Sequence, residues 1–225
     1  MKKSSTNKIY LFKNSIRKFL SYFIDPIFSK KCVKAEKRIS RLAKNKLILG
    51  VGGGPTRDYG ETNLNIGPWE NVDLISDAHS LPYKDNVVDH ILCRAVLEHL
   101  SNPEAATKEF YRVLKNNSLL FIAVPFLQTY HGYPHHYRGI TLTGLEQLVK
   151  DSGFTIIDSG TACGPCFALS SMIKEFLKNY LPLGKYISFA WKLSFGLILS
   201  KFDFFIINKY DSHKLAFGVF CLAKK

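Results

Sequence analysis

The sequence predicts an α/β fold built on a mostly parallel sheet with helices on both faces. Seven apolar runs read as buried strands, at 46–51, 62–66, 72–76, 88–93, 119–124, 154–158 and 215–222. They are rich in Val, Ile and Leu, as befits strands covered on both sides. Helical segments fall between several of them, and strands alternating with helices give a parallel sheet.

A basic arm, residues 1–45, comes first. Residues 1–46 hold 14 Lys and Arg against Asp25 and Glu36, whereas the remainder is nearly neutral with 17 basic and 16 acidic groups. Ile9, Phe12, Ile16, Phe19, Leu20, Phe23 and Ile27 recur at helical spacing, with Lys13, Asn14, Arg17, Lys18 and Ser21 between them. This is a basic amphipathic helix stopped near Pro26, followed by a second basic stretch from Lys30 to Lys46. Two readings stand: docking on an anionic membrane surface, or an apolar stripe that packs on the domain. Nucleic acid is the weaker partner, because charge alone says only polyanion. Lys and Arg interrupt each apolar run before it reaches the length of a secretory leader, so none is expected.

The main domain is expected over 46–225. A chain of this length buries a sizeable core, and 46% hydrophobic with 22% charged residues excludes a disordered one. Its opening strand runs into Gly50, Gly52 and Gly54 in "LILGVGGGPTRDYG". Such a turn bends sharply and lets a ligand approach the main chain. It is not the dinucleotide fingerprint, since position 55 is proline, and no Gly-Lys-Ser/Thr follows to make a P-loop. A purely structural turn is the other reading.

Two helices announce their own ends. "SNPEAATKEFYRVLKNN" has Ser101 or Asn102 as N-cap, Pro103 in the first turn, Glu104 placed for a capping box, and Asn116-Asn117 as the stop. "TLTGLEQLVKDSGF" stops at Gly153. Residues 167–210 form a helical insertion before the last strand. Its longest uncharged stretch, Leu193–Ser200, is far short of the ~20 residues a membrane span needs. Two helices are expected there, covering an acceptor pocket or lying on a bilayer surface.

Cys32, Cys93, Cys163, Cys166 and Cys221 make an odd count without framework spacing, which fits a reducing compartment. "CGPC" at 163–166 spells a redox motif. It follows a late strand, not the first strand of a thioredoxin-like unit, so packing is the competing reading. One CxxC also offers too few ligands for zinc.

The stretch "DLISDAHSLPYKDNVVDHILCRAVLEHLSNPEAATKEFYRVLKNNSLLFIAVP" closely resembles the core of class I S-adenosylmethionine-dependent methyltransferases, whose motifs read D-A-x-x-L-P-F, F-D-x-V, L-E-H and R-V-L-K-P-G-G in this order. The resemblance covers roughly 46–160. It implies a Rossmann-like seven-stranded sheet whose last strand, "KLAFGVFCLAKK", runs antiparallel. It also implies S-adenosyl-L-methionine as cofactor. Gly50, Gly52 and Gly54 would then border the methionine part, with backbone at Arg94 and Ala95 beside it. Asp77 would accept from the adenine amino group near the Ala78 amide; a loop or helix-cap aspartate is the alternative.

Three departures from that pattern stand out. Ile48 replaces a frequent acidic residue, "PTRDYGETN" leaves room for only a loop or turn after the glycines, and Asn65 stands where the ribose-binding carboxylate belongs. An amide can accept one hydroxyl and donate to the other, but it loses charge-assisted bonds worth ~1 kcal/mol or more each over neutral ones. A weakened or reshaped site is expected, with Asp58 or Glu61 as substitutes.

Acceptor chemistry is expected after the fifth strand, in "PFLQTYHGYPHHYRGIT", a segment that resembles one found in a subset of these enzymes. His131 and His135 could act as bases near neutral pH, and Arg138 could hold a phosphate or carboxylate; loop packing is the alternative. His99 of "LEH" could face the pocket or stack on the sheet. No carboxylate stands near the three histidines of the loop, His131, His135 and His136, in the sequence, so no metal is expected. The resemblance thus implies a methyltransferase, and the basic arm, the insertion and the cysteine usage suggest a small-molecule, lipid or glycan acceptor, in the cytoplasm or on the inner face of a membrane. The alternative is a non-catalytic protein of this fold docked on a membrane or partner.

Overall fold

A computed structural model describes residues 26–42, 44–52, 62–132 and 135–225. The arm up to residue 25 and Gly54, Asp58 and Glu61 lie outside the described residues.

The first element is α1 (Lys30–Arg41), in the second basic stretch of the expected arm. Ser29 caps it by accepting from the Cys32 amide. Its apolar stripe, Cys32, Ala35 and Ile39, is buried against Ile48, Leu92, Phe121, Ala162 and Phe220 on one face of the sheet. Lysines and arginines on its other side face solvent, so the local charge excess does not prevent packing.

The strands are β1 (Ile48–Val51), β2 (Thr62–Asn65), β3 (Leu74–Ile75), β4 (Val88–Arg94), β5 (Leu114–Pro125), β6 (Thr155–Cys163) and β7 (Gly218–Lys224). They form one seven-stranded sheet in the order β3-β2-β1-β4-β5-β7-β6, with β7 antiparallel to both neighbours and the other pairings parallel. Two helices, α2 (Pro103–Val113) and α3 (Leu142–Asp151), cover the face opposite α1, through Ala106, Phe110, Leu145 and Val149. Asn102 caps α2 by accepting from Ala105, and Thr141 caps α3 by accepting from Gly144. Gly153 ends α3 in the left-handed region, at φ +96°.

One boundary differs from the sequence expectation. α2 passes straight into β5 at Leu114, so Asn116-Asn117 lie within the strand and not at a helix stop. Leu114 is buried and pairs with Val88, and the Asn117 amide donates to the carbonyl of Lys225. Asn117 itself takes the left-handed conformation, at φ +66°, within an irregular stretch where the β4–β5 register shifts.

The insertion between β6 and β7 holds more than the two expected helices: α4 (Pro165–Tyr180), α5 (Gly184–Leu193), α6 (Phe195–Lys201) and a single turn α7 (Asp203–Ile206). Leu183 at φ +56° and Ser194 at ψ −110° break the path between them. Asp203 is fully buried and accepts from the Cys166 and Phe167 amides, each at 2.9 Å, which caps α4 from 37 residues downstream. Among the described residues no helix is long and apolar enough to cross a membrane.

This packing also settles what surrounds "CGPC". Cys163 is buried at the end of β6, and burial together with Asp203 pushes both its thiol and that of Cys166 upward. A redox-active cysteine needs the opposite shift.

Candidate cofactor and acceptor site

In a parallel sheet ligands bind at the carboxyl ends of the strands, where the strand order reverses. Here that point lies between β1 and β4. The chain leaves β1 at Gly52, with φ +75° and its amide donating to the Leu64 carbonyl at 2.8 Å. A Cβ at Gly52 would stand 2.1 Å from Val96 Cγ2, so only glycine fits. Opposite it, Ala95 leaves β4 at φ +51°, an unfavourable conformation for a residue with a Cβ. The Ala95 amide donates to Ala123 on β5 at 2.9 Å, which holds the strained residue in place.

The remaining expected cofactor residues fall along the same edge. Asn65 ends β2, half-buried, with its carbonyl accepting from Ser76 and its side chain only loosely engaged by the Gly67 amide at 3.5 Å. Asp77 follows β3. Its Oδ1 accepts from the His79 amide at 2.9 Å and meets the His79 ring at 2.6 Å, and these bonds hold the carboxyl below its usual range. That is a turn-capping role as well as a position for adenine. Ala78 beside it is buried. Gly50 lies inside β1, paired with Asn63 and Leu92. The Arg94 side chain pairs instead with Glu36 of α1, tying that helix to the end of β4.

The acceptor residues are only partly brought together. After Ala95 a short 3-10 turn, Leu97–His99, turns Glu98 inward. The Tyr137 amide donates to the Glu98 carbonyl at 2.9 Å, which draws the segment after β5 over this turn. His99 and His131 meet edge to face with ring centroids 5.0 Å apart, and His131 and His136 lie 4.4 Å apart. The His135 side chain is exposed, and its contribution is a carbonyl that accepts from His99 Nδ1. Arg138 donates to the Ser101 carbonyl at 2.9 Å, pinning the loop to the start of α2.

Two further groups join them: Glu98, which the sequence did not single out, and His136, which stood in the polar loop segment without a role of its own. Glu98 has no exposed surface and neither carboxylate oxygen has a hydrogen-bond partner; burial pushes its carboxyl up to about 7. His136 has a buried Nε2 without a partner, and burial plus the neighbouring His131 and His99 hold its ring below the usual imidazole range. The only local signal for Glu98 was its place in "LEH". An acid near 7 beside an imidazole held neutral by burial is suited to moving a proton at physiological pH.

The comparisons with known proteins agree with this geometry. Residues 60–122 match the family model described as a methyltransferase domain. The strand order, the antiparallel β7 and the glycine turn at the switch point complete the case. The chain carries a methyltransferase domain of the S-adenosylmethionine-dependent type.

Among solved structures, this methyltransferase is similar to an S-adenosylmethionine-dependent methyltransferase of Thermotoga maritima, with 16% identity, 96% of this chain and 99% of the other covered, and a TM-score of 0.52. It is also similar to phosphoethanolamine N-methyltransferase 2 of Haemonchus contortus, with 17% identity, 85% coverage of this chain and a TM-score of 0.51. The chain spans about half of that protein, 52%. At such identities the likeness concerns the fold. No curated protein matches the sequence.

The residues fit the family's cofactor. Gly52 turns beneath Val96 where no Cβ fits, and Asn65, Asp77 and the Ala95 backbone stand at the ends of β2, β3 and β4 on the same edge.

Proposed function

We propose that the methyltransferase transfers a methyl group from S-adenosylmethionine to a lipid or lipid-linked glycan held at a membrane surface. The cofactor supplies an electrophilic methyl on its sulfonium. The chain has to bind it, align the acceptor and take up the acceptor's proton where one is lost. The Gly52–Ala95 pair at the switch point carries this reading, because backbone so constrained admits a ligand close to the main chain. Glu98, His99, His131 and His136 border the acceptor side, and neutral imidazole there can accept a proton.

The membrane half of the proposal rests on the insertion. β6 runs parallel to β5, so α4 to α6 rise from the same carboxyl edge as the site. Phe176, Tyr180, Tyr186, Phe189, Phe195 and Phe205 are all more than half exposed there. Seven lysines accompany them over 165–215, against Glu175, Asp203 and Asp211. Exposed aromatics set among lysines suit an anionic bilayer interface. Pro26 lies against the same unit, at a cavity of about 230 Å³ bordered by Lys174, Trp191, Lys192 and Ser200. The arm therefore joins the fold beside the aromatic surface.

Titration calorimetry of S-adenosylmethionine into the full chain is expected to show one site, and Asn65→Asp is expected to tighten it about tenfold by restoring a charge-assisted bond. Absence of binding refutes the cofactor reading; unchanged affinity in the variant refutes the ribose position of Asn65. In flotation, vesicles containing phosphatidylserine should carry the protein, and Phe189→Asp with Phe195→Asp should release it. Failure of the unmodified chain to float at low salt overturns the membrane half alone.

A further inference from the structure

We infer that Glu98, His99 and His131 form a site for a first-row divalent cation of the zinc or iron class. One ligand atom from each lies within 4.8 Å of the others, and Glu98 Oε1 to His99 Nε2 is 3.7 Å. The cluster belongs to two separate segments, the turn after β4 and the loop after β5.

Tautomers make this a ligand set and not merely a stack of rings. His99 Nδ1 faces the His135 carbonyl and His131 Nδ1 faces the Thr129 carbonyl at 3.2 Å. A carbonyl can only accept, so each Nδ1 carries the proton and each Nε2 keeps its lone pair. Imidazoles bound to metals are held in this way, with the second nitrogen donating to a backbone carbonyl. The third group points to the same ligand independently. Glu98 is wholly buried with both oxygens unpartnered, a costly arrangement unless something positive occupies the space beside it.

The donor set selects the ion. Two imidazoles and one carboxylate suit zinc, iron, cobalt or nickel over magnesium or calcium, which prefer oxygen alone. Ligand atoms about 2.1 Å from a shared ion stand roughly 3.5 Å apart, so atoms already within 4.8 Å of one another have little over about 1 Å to close when the ion binds. Three protein ligands leave a position open, as in catalytic metal sites. His136 lies beside that position. Its Nδ1 accepts from the His131 amide at 3.3 Å, so its buried Nε2 carries a hydrogen without a partner, available to an oxygen on the ion. Given the methyl-transfer reading, that oxygen is the acceptor's, bound as alkoxide or phenolate with its proton released to solvent as the ion takes it up, before it attacks the methyl carbon and displaces the thioether.

Cobalt(II) titrated into the chelator-treated full chain tests the site. One equivalent is expected, with visible bands of imidazole-bound cobalt that zinc(II) displaces. Glu98→Gln and His131→Ala should each weaken binding at least about 100-fold, extending what loss of a supporting group already costs; His213→Ala should not. No uptake, or equal affinity in all four proteins, overturns the site. S-adenosylmethionine affinity is read alongside. Retained cofactor binding without cobalt uptake rejects the metal site and leaves methyl transfer standing, and cobalt uptake without cofactor binding does the reverse. Glu98→Gln is isosteric and His131 sits on a loop, so at least one variant reports on a folded protein.

Discussion

Replacing Gly52 by alanine is expected to abolish S-adenosylmethionine binding and to destabilise the protein by about 2–4 kcal/mol. Two costs combine. An alanine held at φ +75° loses about 1–2 kcal/mol to the left-handed conformation. Its Cβ would also stand 2.1 Å from Val96 Cγ2, and Val96 follows the strained Ala95, which cannot yield without breaking its bond to Ala123. Urea unfolding with cofactor titration measures both effects. A Val96→Ala partner mutation separates them: it should recover the steric part and leave the backbone cost. A wild-type unfolding midpoint for Gly52→Ala would show that this turn is not held as described.

The second large effect is on the pH dependence of stability. Burial raises the Glu98 carboxyl from its ordinary 4.5 to about 7. Between these values the folded chain keeps a proton that the unfolded chain has released, so stability falls as pH rises through the window and levels off above it. The change is roughly 3 kcal/mol. His136 works against it, since a ring held neutral in the fold loses stability as pH falls through the unfolded histidine range. His99, His131 and the raised Cys93 thiol also adjoin the group. The difference between the wild type and Glu98→Gln isolates the carboxyl. In EDTA, that difference should move in favour of the glutamine variant by about 3 kcal/mol from pH 5 to pH 8. A difference that stays constant across this range refutes the buried, unpaired acid.

Much of the fold was readable because its signals are local. The caps at Asn102 and Thr141, the stop at Gly153 and the apolar runs of the strands act within a few residues. The helix stop expected at Asn116-Asn117 falls earlier, after Val113, for the converse reason, since Leu114 pairs with Val88 of a distant strand. The site was less readable. Gly52, Asn65 and Asp77 stood out as types at characteristic spacings, whereas nothing local announced that the Arg94 side chain reaches Glu36, 58 residues earlier.

The amino-acid sequence alone determined an α/β sheet, a glycine turn unsuited to a dinucleotide, a basic arm and an amphipathic insertion, since each depends on composition or short-range periodicity. Only the tertiary structure decided which polar groups share a space. Glu98 lies 33 positions before His131 and in the sequence looks like one acid among many. The turn after β4 and the loop after β5 bury it against two imidazoles, where water no longer screens it and its unpaired charge gives the site its chemistry.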